Sequence, residues 1–156
     1  MTQQSSLAYQ LELVWWFFTF LLAAAILYPI LSKINDYPFL LANIVFIIIF
    51  VTFTRYVFLL RHTFLARRQW LKAIVLVLCL PILFYLVNQL NYFQTYLDEQ
   101  GLESFMGALP IKGQEALGSF IRNEMLLFGV GSIFAAVLLP LRMILSIWRT
   151  HNRGTV

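Results

Sequence analysis

Arg61-His62-Thr63-Phe64-Leu65-Ala66-Arg67-Arg68-Gln69-Trp70-Leu71-Lys72 is the stretch on which the fold turns. It holds Arg61, Arg67, Arg68 and Lys72, four of the eleven basic residues, and lies between two long apolar runs. Short loops rich in Lys and Arg stay in the cytoplasm, so a basic loop at 61–72 orients the runs on either side of it. The expectation is a polytopic membrane protein whose central loop faces the cytoplasm.

Composition agrees. The chain has 156 residues, 61% hydrophobic and 12% charged, against roughly 25% charged in a usual soluble domain. Its length suits one domain, 1–156, built as a small helical bundle. The net charge of +4 is carried at the ends of the apolar runs. That placement fits orientation and anionic lipid headgroups at the cytoplasmic face, and no nucleic-acid motif accompanies it. Cys79 is the single cysteine, which excludes a disulfide framework or a cysteine-based metal site within one chain.

Working outward, four spans emerge, at about 12–31, 39–60, 73–90 and 125–148. Each approaches the ~20 apolar residues that a bilayer core requires. The N-terminal ten residues lack Lys and Arg, and the first apolar run continues past Ala23-Ala24-Ala25. This reads as an uncleaved anchor rather than a secretory signal. Asn35 and Asp36 suit a turn, and Pro38 suits the start of the second helix. That helix is expected to run on into the basic segment. Pro81 predicts a kink in the third span, its freed carbonyl being satisfied locally.

The segment 91–121 is the longest between spans. Leu102, Phe105, Met106 and Leu109 are spaced as one helix face, and Leu117, Phe120 and Ile121 repeat the pattern after Gly113. The spacing predicts short amphipathic helices in an outer loop, capping the bundle or lying on lipid. The expected fold class is therefore an all-α integral membrane protein, a four-transmembrane-helix bundle with that outer segment. Both termini fall on the cytoplasmic side of the cell (inner) membrane. Trp15, Trp16, Trp70 and Trp148 then share the inner interface, and Tyr28, Tyr37 and Tyr92 the outer one.

Ionisable residues inside spans are rare and are usually paired or functional. Arg55 and Arg142 each lie about 25 Å from the outer boundary, counting ~1.5 Å per residue. Glu12 begins the first span at a similar level. Two readings follow: arginines that reach lipid phosphates with Glu12 neutralising one, or a site for an anionic lipid or a partner's acidic group. Either way Glu12 is expected within salt-bridge reach of Arg55 or Arg142. A second polar layer is expected near the outer face, from Asn43, Asn88, Gln89, Asn91, Arg122, Asn123 and Glu124. It would act as interhelical glue or as a small vestibule, with Arg122 available to an acid of the preceding loop. Gly131 and Ala135, with Gly129, Ser132 and Ala136, form a small-residue strip for packing within the bundle or for a homo-oligomer seam. Thr52 and Thr54 are expected to bond back to backbone carbonyls.

No catalytic set accompanies these residues. His62 and His151 sit in polar stretches, unsuited to a haem held between helices, and no metal-binding, nucleophile or phosphate-loop motif is present. Glu99 and Glu103, one turn apart, read as a solvated face. The expectation is a protein without cofactors or enzymatic activity, an accessory or scaffold subunit acting through contacts with partner helices or its own copies. The alternative is small-molecule, lipid or ion binding or transport through the polar layers. That would need a cavity joining Asn43, Asn88 and Arg122, or one reaching Arg55 and Arg142.

Overall fold

The computed structural model describes residues 2–60, 63, 65, 68–107 and 109–152, with no strand among them. Four long helices carry the fold: α1 (Thr2–Leu31), α2 (Leu40–Leu59), α3 (Gln69–Glu99) and α4 (Ile111–Asn152). Each contains a stretch long and apolar enough to cross a membrane. α4 is the central element. α2 and α3 pack along it and touch one another little, while α1 leans chiefly on α2.

The seams have simple spacings. On α3, Lys72, Cys79, Leu86 and Phe93 are buried at seven-residue intervals, joined by Leu90. This is the repeat that keeps one helix face against a neighbour. α2 buries Asn43, Phe46, Ile47 and Phe53. From Tyr9 onward α1 buries Thr19, Ala23, Leu27 and Ile30, and turns Leu13, Phe17, Phe20 and Leu21 outward. On α4 the small residues are packing surface within the chain. A Cβ on Gly129 would lie 2.9 Å from Leu90 Cδ1 and 3.3 Å from Phe46 Cε2, so side chains of α3 and α2 meet over its backbone. Gly131 takes the Phe50 ring in the same way, and Ser132, Ala135 and Ala136 are buried beside them.

The turn between α1 and α2 uses Asn35 and Asp36 as expected, but Pro38 stands in the turn and α2 begins at Leu40. Its first bonds run from Leu40 N to Tyr37 O and from Asn43 N to Phe39 O. α2 does not run on into the basic segment. It stops at Leu59, where the Thr63 amide and hydroxyl both donate to the Leu60 carbonyl, at 3.1 and 2.8 Å. Such local bonds compete with helix continuation. Arg61, His62, Phe64, Ala66 and Arg67 of that segment, and the tail from Arg153, lie outside the described residues.

The segment 91–121 also differs from expectation. α3 runs unbroken through Pro81 as far as Glu99, and α4 already begins at Ile111. What remains between them is a turn and one 3₁₀ helix, Leu102–Phe105. The Leu117, Phe120 and Ile121 spacing therefore belongs to the first turns of α4, continuous with its apolar stretch. Gly101 ends α3: its N–H donates to Leu97 O at 3.2 Å, and its φ of 69° with ψ of 165° is open in practice only to glycine.

Candidate functional site

Polar contacts join the helices at three different interfaces. At the end of the bundle where α2 stops and α3 starts, Arg55 Nη1 donates to Glu12 Oε2 at 2.6 Å, bridging α2 and α1. Both side chains are covered, at 6% and 14% exposure. The guanidinium carbon also stands 5.1 Å from the centre of the Trp15 ring and 5.9 Å from that of Tyr56. A cation over an aromatic face is favoured, most of all when it is desolvated. The structure thus brings Glu12 to Arg55. Arg142, half-buried on α4, keeps its Nε covered without a hydrogen-bond partner among the described residues.

At the same end, Lys72 links α3 to α4. It is only 1% exposed, and its Nζ donates to Ser146 Oγ at 3.0 Å and to Gln69 Oε1 at 3.3 Å. Sequence reasoning placed Lys72 in a solvated loop. The missed signal is its register: it is the first member of the buried series continued by Cys79, Leu86 and Phe93.

At the opposite end, Asn43 of α2 meets Glu124 of α4. Asn43 is fully buried and Glu124 is 6% exposed. The Asn43 Nδ2 group donates to Glu124 Oε1 and, at 3.4 Å, to Tyr37 Oη. The remaining oxygens, Asn43 Oδ1 and Glu124 Oε2, are buried and have no partner among the described residues. Tyr37 was expected at an interface, not as a member of this cluster. Its burial pushes its hydroxyl above the ordinary tyrosine range. An aromatic knot centred on Phe39 closes this end, with the Tyr96 and Phe93 rings edge-on at 5.0 and 5.1 Å. Edge-to-face packing of this kind is the preferred aromatic geometry.

The other members of the expected outer layer do not join the pair. Asn88, Asn91, Arg122 and Asn123 are exposed, and Gln89 is half-buried. Arg122 instead lines a cavity of about 750 Å³ between the end of α3, the 3₁₀ helix and the start of α4. Gln94, Asp98, Glu103, Gln114, Glu115 and Ser119 contribute its other polar side chains, and neither Asn43 nor Asn88 reaches it. Among the described residues no group of three metal-binding side chains occurs.

The hydroxyls also depart from expectation. Thr52 Oγ1 is buried with no partner among the described residues. The bond back to the helix backbone is made by Thr19, to Trp15 O at 2.9 Å, and by Ser132, to Gly129 O at 2.8 Å.

The geometry so far defines an all-helical bundle with four apolar helices and a polar contact at each main interface. No protein family, curated protein or solved structure matches the chain.

Proposed function

We propose that this chain is a multi-pass protein of the cell (inner) membrane, with both termini and the 61–72 loop cytoplasmic. It works there as a non-catalytic accessory or scaffold subunit, through helix contacts with a partner membrane protein or with its own copies. Insertion is supported by the outer surface, where Leu13, Phe17, Val77, Phe84, Leu127 and Phe134 are all exposed. Large contiguous apolar surface is not tolerated on soluble monomers. The orientation is supported by the bias of basic residues: Arg55, Arg68, Lys72, Arg142 and Arg149 lie at one end, against Lys33, Lys112 and Arg122 at the other.

One observation carries the scaffold reading. Glu12–Arg55, Asn43–Glu124 and Lys72–Ser146 each hold a different pair of helices, α1 to α2, α2 to α4 and α3 to α4. Polar side chains distributed over separate interfaces serve to fix register, and these three contacts do not converge on a common reaction centre. Native mass spectrometry of gently extracted protein tests the reading. A stoichiometric complex with a second membrane protein or with further copies is the expected result. A lone chain that retains a small molecule overturns it in favour of the second reading, ligand binding, for which the cavity beside Arg122 is the supporting observation.

A further inference from the structure

The Asn43–Glu124 contact has more acceptors than donors. Asn43 Nδ2 has two hydrogens, and both are engaged, one by Glu124 Oε1 and one by Tyr37 Oη. That leaves Asn43 Oδ1 and Glu124 Oε2 buried as acceptors without a donor among the described residues. Among the described residues no cationic side chain lies within salt-bridge distance of Glu124, whereas Glu12 at the other end has Arg55. A buried carboxylate with neither counter-charge nor a donor for its second oxygen is a costly arrangement, and buried polar groups in folded proteins are nearly always paired.

One proton removes every part of this deficit. On Glu124 Oε2 it cancels the charge and converts an acceptor into a donor. Asn43 Oδ1 is bonded to the same carbon as the donating Nδ2, so it is the acceptor next to hand. The result is the paired ring of an amide and a carboxylic acid, N–H to Oε1 and O–H to Oδ1. Turning the amide over does not change the demand. Oδ1 would then face Oε1 across a hydrogen-bond contact, and two acceptors in that position also need a proton between them.

We infer that Asn43 and Glu124 form a proton-binding site between α2 and α4, in which Glu124 holds one exchangeable proton as a neutral carboxylic acid. This goes beyond the scaffold reading and does not depend on it. The groups that face the pair leave it undisturbed. Tyr37 approaches from the turn before α2, and Tyr92 and Tyr96 of α3 enter through the knot around Phe39. All three are phenols, and none brings a cationic side chain to the pair. On α4 itself Arg122 and Glu115 are exposed and line the cavity, and Lys33 and Asp36 of the α1–α2 turn are exposed as well.

Infrared spectroscopy of the full chain in lipid nanodiscs tests the site, with the glutamates carboxyl-labelled with ¹³C. At neutral pH the wild type is expected to show the carbonyl stretch of a protonated glutamic acid. That band should shift on deuterium exchange, disappear in Glu124→Gln, and move in frequency in Asn43→Ala. The side-chain amide that Glu124→Gln introduces keeps a donor for Asn43 Oδ1, so the variant is expected to retain its helix content. If Glu124→Gln fails to fold, the labelled wild type decides alone, because the other glutamates are exposed or, for Glu12, paired with Arg55. Wild-type protein showing only ionised glutamate at neutral pH overturns the inference. So does a protonated band that persists in folded Glu124→Gln.

Discussion

Glu12 and Arg55 are held by one another more than by solvent, and this makes the pair a sensitive point. Replacing Glu12 by Gln leaves the guanidinium covered by Trp15 and Tyr56 with no counter-charge. Breaking one half of a buried pair costs ~3–5 kcal/mol, whereas replacing both halves by apolar groups is often neutral. Thermal unfolding in mild detergent should therefore show a clear loss for Glu12→Gln and recovery in Glu12→Gln/Arg55→Met. Equal melting of wild type and Glu12→Gln would mean that solvent screens the pair. Charges stand out against an apolar run, so this pairing was legible in the sequence. Tyr37 and Lys72 were not. Tyr37 reaches Asn43 only because the α1–α2 turn folds back, and Lys72 looked like one more basic loop residue until its seven-residue register with Cys79 was known.

At the scale of elements, the number of long apolar helices followed from apolar runs alone, but their faces did not. From Leu13 onward α1 is apolar on every side, so its periodicity carries no record of the stripe from Thr19 to Ile30 that meets the bundle. When every side of a helix faces lipid or protein, the contrast that marks a buried face in a soluble protein is lost. The ends of α3 and α4 were misjudged for a related reason: an amphipathic spacing specifies a helical face without saying whether the helix is separate or continues a longer one. Gly101 sets where α3 stops. Its backbone geometry costs a residue with a side chain ~1–3 kcal/mol, so Gly101→Ala should speed amide hydrogen exchange in the last turn of α3 and the 3₁₀ helix. Gly107→Ala is the matched control, since a Cβ there meets nothing within 4 Å. Similar exchange in the two variants would show that another residue fixes the turn.

For the molecule as a whole, the separation of charge between the two ends leads to a direct test of orientation. Single cysteines at Gly107 and Asn152, introduced in intact cells, should differ in their reaction with a membrane-impermeant maleimide. Position 107 is expected to label from outside, and position 152 only after the membrane is opened. Cys79 is buried and should give little background. The reverse pattern would invert the topology and place the Lys- and Arg-rich end outside. Length adds a second consequence at this scale. At ~1.5 Å per residue the 42 residues of α4 span ~63 Å, about twice the ~30 Å of a bilayer core. The first turns of α4 and the last turns of α3 would therefore stand clear of the membrane as a hairpin, with the cavity between its limbs.

The central place of α4 also sets a schedule for synthesis. α2 finds its main partner in the last helix to be made, and Asn43 precedes Glu124 by 81 residues. At about 5–20 residues per second, Asn43 would wait roughly 4–16 s for the residue that satisfies it. Glu12 waits for Arg55 across a shorter interval, 43 residues. The first two helices can therefore clasp early as a pair, while the core around α4 closes only as the chain is finished. In that interval the exposed seam of α2, with its asparagine, is the part of the nascent protein most in need of a temporary companion.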